Sequence, residues 1–228
     1  NGINAITIRE GDQLLEAKMT TGNSQIMMAV KSGKSIRFEE EKVRSMGRTA
    51  AGVRGIRLPS EDDEVVGMIC INDMESSVLV VSENGYGKRS AVEDYRITNR
   101  GGKGVKTINV TEKTGGLIAL KNVSDADDLM VINKSGVTIR IGVDTLRVMG
   151  RATQGVKIIR LRDEDSIASV AKVSKWEEEE VVLLDEDGNV IEAEVVEGAE
   201  TPETNETSTE ENTEDNNTNE TTEENEEN

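Results

Sequence analysis

The chain has 228 residues, enough for one ordinary domain or two small ones, and carries a formal net charge of −18. Four aromatic residues, Phe38, Tyr86, Tyr95 and Trp176, leave the core to Ile, Val, Leu and Met. The absence of histidine excludes Ser-His and Cys-His nucleophile pairs and imidazole metal ligands, while the single Cys70 excludes an internal disulfide and a four-cysteine zinc site.

In chain order, the first residues "NGINAITI" read as the end of an earlier unit, so a fragment is expected. Three segments then align without a gap: "IMMAVKSGKSIRFEEEKVRSMGRTAAGVRGIRL" (26–58), "VLVVSENGYGKRSAVEDYRITNRGGKGVKTINV" (78–110) and "LMVINKSGVTIRIGVDTLRVMGRATQGVKIIRL" (129–161). The spacing is 52 and then 51 residues. Gly33, Gly85 and Gly136 recur in the first turn, and Gly52, Gly104 and Gly155 before the last run. Gly188 in "VVLLDEDGNVIEA" lies another 52 residues on, and Gly2 stands opposite Gly52.

Each repeat holds four short β-branched or aliphatic runs, predicted as strands over 14–20, 26–31, 34–39 and 53–58 in the first. The turns "KSGKS", "ENGYG" and "NKSGV" read as hairpins, where glycine supplies a positive φ without steric cost. An all-β fold of four-stranded blades around an axis follows from a repeat of this length. Cys70 in "VVGMICI" reads as a core residue, which fits a reducing compartment. No apolar run approaches the length of a membrane span, and nothing resembles a secretory signal.

All 27 Lys and Arg lie at or before Lys175, together with 23 of the 45 Asp and Glu, a surplus of four cations. The other 22 acids follow with no cation. The body is therefore mildly basic and the tail strongly acidic. From Glu200 onward the tail has no apolar side chain to offset the entropy of ordering, so it reads as disordered.

Comparing the copies reveals basic columns. Arg37, Arg89 and Arg140 align, as do Arg44, Arg96 and Arg147, and Arg48, Arg100 and Arg151; Arg54, Lys106 and Lys157 keep the charge. Lys88 and Lys103 are additions of the second copy. Equivalent positions of blades share radius and height, so the columns predict a positive stripe around a rim. A stripe of this kind suits a polyanion on a curved path, contacting phosphates turn by turn. Scarce aromatics disfavour stacking on single strands, so duplex DNA, bound without base readout, is the expected ligand.

"NRGGKGV" (99–105) lacks both the spacing and the following helix of a mononucleotide loop, and Gly33-Lys34-Ser35 has Met28 where the first glycine of such a loop belongs. No dinucleotide fingerprint, calcium loop or carboxylate pair stands out. Neither a catalytic site nor a bound metal or cofactor is expected in this chain.

The segments "SMGRTAAGVRGIRL", "NGYGKRSAVEDYRITNRGGKGVKTINVTE" and "VMGRATQGVKIIRL" closely resemble the last blades of the DNA gyrase A C-terminal domain family. The resemblance covers roughly residues 1 to 173. It implies a β-pinwheel, a propeller-like fold whose blades exchange a strand and wrap duplex DNA around a basic perimeter. It further implies a non-catalytic part of an ATP-dependent type II topoisomerase that introduces negative supercoils. The partners implied are a second gyrase A protomer together with the gyrase B protein; ATP and Mg2+ serve other parts of the enzyme, and the setting is the bacterial cytoplasm at the nucleoid. The cleavage tyrosine of the family belongs to another part of the gyrase A polypeptide, so neither Tyr86 nor Tyr95 takes that role. The family's box runs Gln, two basic residues, Gly, Gly, Lys, Gly; Arg100–Gly104 match its end and Thr98 and Asn99 depart from it. We read residues 98–104 as a box-like blade loop.

The expected domains are a partial pinwheel over 1–175, a linker over 176–197 able to hold a terminal hairpin, and an acidic tail over 198–228. The tail either aids solubility or competes with DNA for the rim. Two alternatives stand beside the gyrase reading: the equivalent domain of topoisomerase IV, and a propeller-like module whose basic rim meets an acidic protein.

Overall fold

Strands rich in Val, Ile, Leu and Met leave rows of N–H and C=O groups that need partners, and here the partners come from two repeats at once. The computed structural model describes residues 2–162, 165–175, 180–184 and 190–195. They belong to two compact units, Asn1–Trp176 and Glu177–Asn228.

In chain order the first unit contains β1 (Gln25–Val30), β2 (Lys34–Glu39), β3 (Val65–Ile71), β4 (Ser77–Ser82), β5 (Tyr86–Ala91), β6 (Val105–Lys106), β7 (Leu117–Val123), β8 (Asp127–Asn133), β9 (Thr138–Gly142), β10 (Val156–Lys157) and β11 (Ile167–Ser174). Three sheets result, in the orders β3-β1-β2-β6, β10-β5-β4-β7 and β11-β8-β9, with every strand pair antiparallel. Short 3-10 turns at Glu40–Lys42, Val92–Asp94 and Val143–Thr145 follow β2, β5 and β9. No α-helix occurs among the described residues, so none is long and apolar enough to cross a membrane.

The sheets confirm the hairpins and the all-β architecture but shift the phase of the repeat. The runs 14–20 and 53–58, expected as strands of the first blade, are not strands. Their counterparts show why. The run equivalent to 14–20 closes each sheet beside the first hairpin strand, as β3 does on β1 and β7 on β4. The run equivalent to 53–58 crosses to the preceding blade, where Val105 and Lys106 pair with Ser35 and Lys34, and Val156 and Lys157 with Gly87 and Tyr86. The described residues hold no earlier hairpin for 14–20 or 53–58 to join. Each of the first two blades is therefore a hairpin, its following strand and a short strand donated by the next repeat, while the third sheet, β11-β8-β9, has no donated strand among the described residues.

The core lies between sheets. Alternate side chains of β4 point opposite ways. Val78 and Val80 meet Met27, Ala29, Ile69 and Ile71 of the first sheet. Leu79 and Val81 meet Leu129, Val131 and Val170 of the third. Both faces of the middle sheet are thus covered, which accounts for a strand buried at all six residues. A third cluster, Ile26, Val30, Ile36, Phe38 and Ile56, covers the outer face of the first sheet, with Cys70 packed against it as expected.

The second unit contains β12 (Glu180–Leu184) and β13 (Val190–Val195), paired antiparallel from Glu180 opposite Val195 to Leu184 opposite Val190. The acidic tail expected over 198–228 lies outside the described residues, as do 176–179, 185–189 and 196–197 of the linker.

Gly104 marks where one repeat presses on the next. Its φ is +69°, and a Cβ there would collide with the carbonyl oxygen of Ser35 in β2. Gly52, in the same column at φ +83°, has nothing within 4 Å of the same position. In urea unfolding, Gly104→Ala is expected to cost about 3 kcal/mol and Gly52→Ala about 1 kcal/mol. Equal losses would show that the Gly104 contact does not hold the blades together.

Candidate nucleic-acid interface

The donated segment of each repeat is fixed to the preceding blade at two points, and the chain between them has no strand to continue. Along β2, Thr98 N donates to the Arg37 carbonyl at 2.8 Å, and Ile97 bridges Arg37 in parallel, before Val105 and Lys106 pair antiparallel. Along β5, Met149 N donates to the Arg89 carbonyl at 2.8 Å, and Val148 bridges Arg89, before β10. Residues 99–104 and 150–155 therefore loop outward as two equivalent rim turns. Further backbone bonds repeat across the two junctions: Arg57 N to Gly102 O at 2.9 Å, and Asn109 N to Thr153 O at 3.1 Å.

The basic columns divide around these turns. Arg44, Arg96 and Arg147, each just past a 3-10 turn, are exposed. Arg48, Arg54, Lys103, Lys106 and Lys157 are exposed as well. Arg100 and Arg151 are half-buried and clamp the preceding blade. Arg100 Nε donates to Lys42 O at 2.8 Å and Nη1 to Arg54 O at 3.2 Å, while Arg151 Nη1 donates to Lys106 O at 2.9 Å. Lys106 Nζ also reaches Asn109 Oδ1 at 3.1 Å.

The first column does not lie on the surface at two of its three places, which corrects the expectation that it contacts phosphates. Arg37 is 4% exposed and donates from Nη1 to the carbonyls of Val92 and Tyr95, at 2.7 and 3.0 Å, in the next blade's 3-10 turn. Burial lowers its pKa, opposed by the charges of Glu39 and Glu93. Arg89 is 8% exposed and bonds the Leu146 carbonyl and Asp125 in the same manner. Arg140, in the last sheet, pairs with Asp128 at 2.6 Å and reaches the Ser174 carbonyl at 3.4 Å. Lys88 is 1% exposed and donates to Gly150 O at 2.6 Å. A long cation reaching from the strand thus adds a donor to carbonyls of the next repeat, of which Val92 O also accepts from Tyr95 N at 3.1 Å and Gly150 O from Thr153 N and Oγ1 at 3.2 and 2.9 Å.

Among the described residues the ion pairs engage Lys18, Lys31, Arg89, Arg140, Lys172 and Lys175. None of the exposed rim cations is among them. Lys113 is a cation that column comparison missed: its Nζ lies 5.4 Å from the centre of the Tyr86 ring, and Lys157 Nζ lies 5.9 Å from it. Glu61 and Glu164 occupy its equivalent positions, so the copies give no hint of it.

Tyr95 is buried, with its hydroxyl 2.7 Å from Thr107 Oγ1; burial pushes its pKa up against the pull of that bond. Burial likewise raises the Cys70 thiol. No group of three Asp, Glu, Cys or His able to hold a metal occurs among the described residues.

The family model described as "DNA gyrase C-terminal domain, beta-propeller" matches residues 24–72, 76–124 and 127–174, the phase that the sheets define. The DNA gyrase A protein of Staphylococcus aureus (strain MRSA252) is 44% identical over 207 residues, which covers 89% of this chain and 23% of that protein. The protein of strain NCTC 8325 / PS 47 is 43% identical over 210 residues, with 89% and 24% covered. The chain thus spans about a quarter of the length of these curated relatives. A solved DNA gyrase A C-terminal domain superposes with a TM-score of 0.68 at 27% identity, over 75% of this chain and 58% of that one. A DNA topoisomerase IV C-terminal domain does so with a TM-score of 0.70 at 23% identity, over 75% and 53%.

Stability separates the buried from the exposed column. Arg37→Met leaves the Tyr95 carbonyl without its side-chain donor and the Val92 carbonyl with Tyr95 N alone, and is expected to cost about 3 kcal/mol in urea unfolding, whereas Arg44→Ala stays within about 0.5 kcal/mol. A neutral Arg37→Met would return this column to the surface.

Proposed function

We propose that this chain, which belongs to the DNA gyrase C-terminal domain family, binds and wraps double-stranded DNA as a non-catalytic module of an ATP-dependent type II topoisomerase. The observation that carries the reading is the recurrence of Arg44, Arg96 and Arg147 at one exposed place in three successive blades, none of them ion-paired among the described residues. Arg48, Arg54, Lys103, Lys106 and Lys157 thicken the same rim, and Arg100 and Arg151 fix its turns.

Such a rim does not read bases. It neutralises phosphates, releases their counterions and repays the elastic cost of bending the duplex by adding a station at each blade. In the complete enzyme the wrapped duplex would feed strand passage, giving negative supercoiling. Cleavage and ATP hydrolysis with Mg2+ would belong to other parts of an assembly with the gyrase B protein and a second gyrase A protomer, acting on the nucleoid in the bacterial cytoplasm. Identity of 43–44% to gyrase A proteins, against 23% to the topoisomerase IV domain, favours the gyrase reading. The acidic residues beyond Lys175 would compete with DNA for the rim.

Duplex binding measured across a salt series tests this. Six to ten phosphate contacts predict a log–log slope of about −5 to −9, and replacing Arg44, Arg96 and Arg147 together by alanine should bring the slope about 3 closer to zero. Insensitivity to salt, or no binding to linear duplex, would overturn the reading in favour of an acidic protein partner. Deleting residues 176–228 should tighten duplex binding at low salt; unchanged affinity would remove the competition by the tail.

A further inference from the structure

Blade 2 carries a cation in a column that is otherwise aliphatic. Lys88 in β5 stands where Ile36 stands in β2 and Ile139 in β9. Its cross-strand partner is Val80, the middle of the strand buried on both faces, and the whole residue is 1% exposed. From there Nζ reaches outward to the carbonyl of Gly150 at 2.6 Å. Gly150 opens the second rim turn, next to Arg151, whose guanidinium clamps Lys106 O, and three residues beyond the exposed Arg147.

The other junction shows what is missing without this lysine. Ile36 makes no polar contact with its rim turn, and a cleft of about 200 Å³ remains there between Ser35, Ile36, Arg96, Asn99 and Lys103. Backbone bonds hold both turns, Gly102 O accepting from Arg57 N and Thr153 O from Asn109 N, but only the second is also reached by a buried cation.

An aliphatic residue would serve the core better. Burial of the ammonium lowers the Lys88 pKa to about 8, with the positive charge of Arg151 in the rim turn adding to the effect and Asp94 in the 3-10 turn opposing it.

We propose that Lys88 is a positioning residue for the DNA path: its ammonium holds the Gly150–Gly155 turn, and with it Arg147 and Arg151, in the arrangement that meets the phosphates. The inference rests on the duplex-binding reading above. Two consequences follow from the chemistry. A phosphate nearby favours the charged amine, so duplex affinity declines as Lys88 loses its proton between pH 7 and 9. The chain has no histidine, and burial holds the Cys70 thiol above its ordinary range, so neither confuses that window. In stability the sign is opposite. The folded-state pKa lies below the unfolded value, so the cost of the buried charge is complete below about pH 8 and fades toward pH 10.5.

The test uses the full chain, a linear duplex and four proteins: wild type, Lys88→Met, Arg151→Ala and the double variant. Lys88→Met is expected to melt at or above the wild-type temperature at pH 7, an advantage that shrinks by pH 10. It should nevertheless bind duplex about fivefold more weakly, with an affinity flat from pH 7 to 9 where wild type declines by about as much. Because Lys88 acts through the turn that bears Arg151, the double variant should lose no more than about tenfold, short of the roughly 25-fold product of independent contacts. Wild-type affinity in Lys88→Met, a product-like double variant, or a shared pH profile would each overturn the proposal. Lys88→Ile, the residue of the neighbouring blades, is the second variant; failure of both to fold would make Lys88 structural and also overturn it. A wild type that binds no duplex at any pH would instead remove the wrapping reading on which the proposal stands.

Discussion

Everything in the first unit depends on one contact: the outer edge of a hairpin strand is closed by a short strand from the next repeat. Without it β2 and β5 would present unpaired N–H and C=O groups, the usual template for unwanted pairing. With it, Lys34 and Ser35 meet Lys106 and Val105, and Tyr86 and Gly87 meet Lys157 and Val156. The donated strands are only two residues long, too short to be stable alone. They hold because the same junction buries apolar clusters between sheets, and because Thr107 and Ile158 donate to the carbonyls of Gly33 and Gly85 at 2.9 and 2.8 Å. Stability in such an array is a sum over neighbours, so each junction matters as much as each blade.

The junction also sorts the cations. A basic side chain on the edge strand faces the 3-10 turn of the next blade and becomes the donor for its carbonyls, as Arg37 and Arg89 do. On the segment that leads to the donated strand, Arg96, Lys103 and Arg147 face solvent, while Arg100 and Arg151 turn back to clamp the preceding blade. The two kinds differ by a few positions in the chain yet have different electrostatic settings: one is desolvated and fixed by hydrogen bonds, the other exposed and outside the ion pairs of the described residues. On the duplex-binding reading, function rests on the second kind, whose geometry the first kind maintains.

Much of this is legible in the sequence because the blade repeats. Self-alignment exposes the period, the hairpin glycines and the recurring arginines. It cannot expose the phase, since a periodic pattern looks alike wherever it is cut; hence 14–20 and 53–58 group with the hairpin at 26–39 in sequence, although their counterparts pair elsewhere. Nor can recurrence separate a column kept for the ligand from one kept for the junction, and Arg37 and Arg44 recur equally well. The alternation of β2 carries a clue, since Arg37 shares the register of Ser35, which is fully buried, but edge strands often bear charge. Lys113 escapes column comparison for the contrary reason, being present in one copy only, and Lys88, which the comparison finds as an addition of the second copy, shows no sign there of its burial.

The two rim turns therefore are not interchangeable. The first, Asn99–Gly104, has glycine at 101, 102 and 104, the extra charge of Lys103 and no cation behind it. The second, Gly150–Gly155, has Ala152 and Thr153 in place of two of those glycines, Gln154 in place of Lys103, and Lys88 bonded to its first carbonyl. Glycine widens the conformations open to a loop between fixed ends, so ordering the first turn on a ligand costs more entropy. Its additional charge compensates by adding an interaction once ordered. The second turn has less charge outside but is held in advance, and a preorganised site loses less on binding. One blade thus favours attraction and the next favours preorganisation. On the duplex-binding reading, a duplex whose grooves do not stay in step with every blade would be served by a rim that adapts at one station and holds firm at the next.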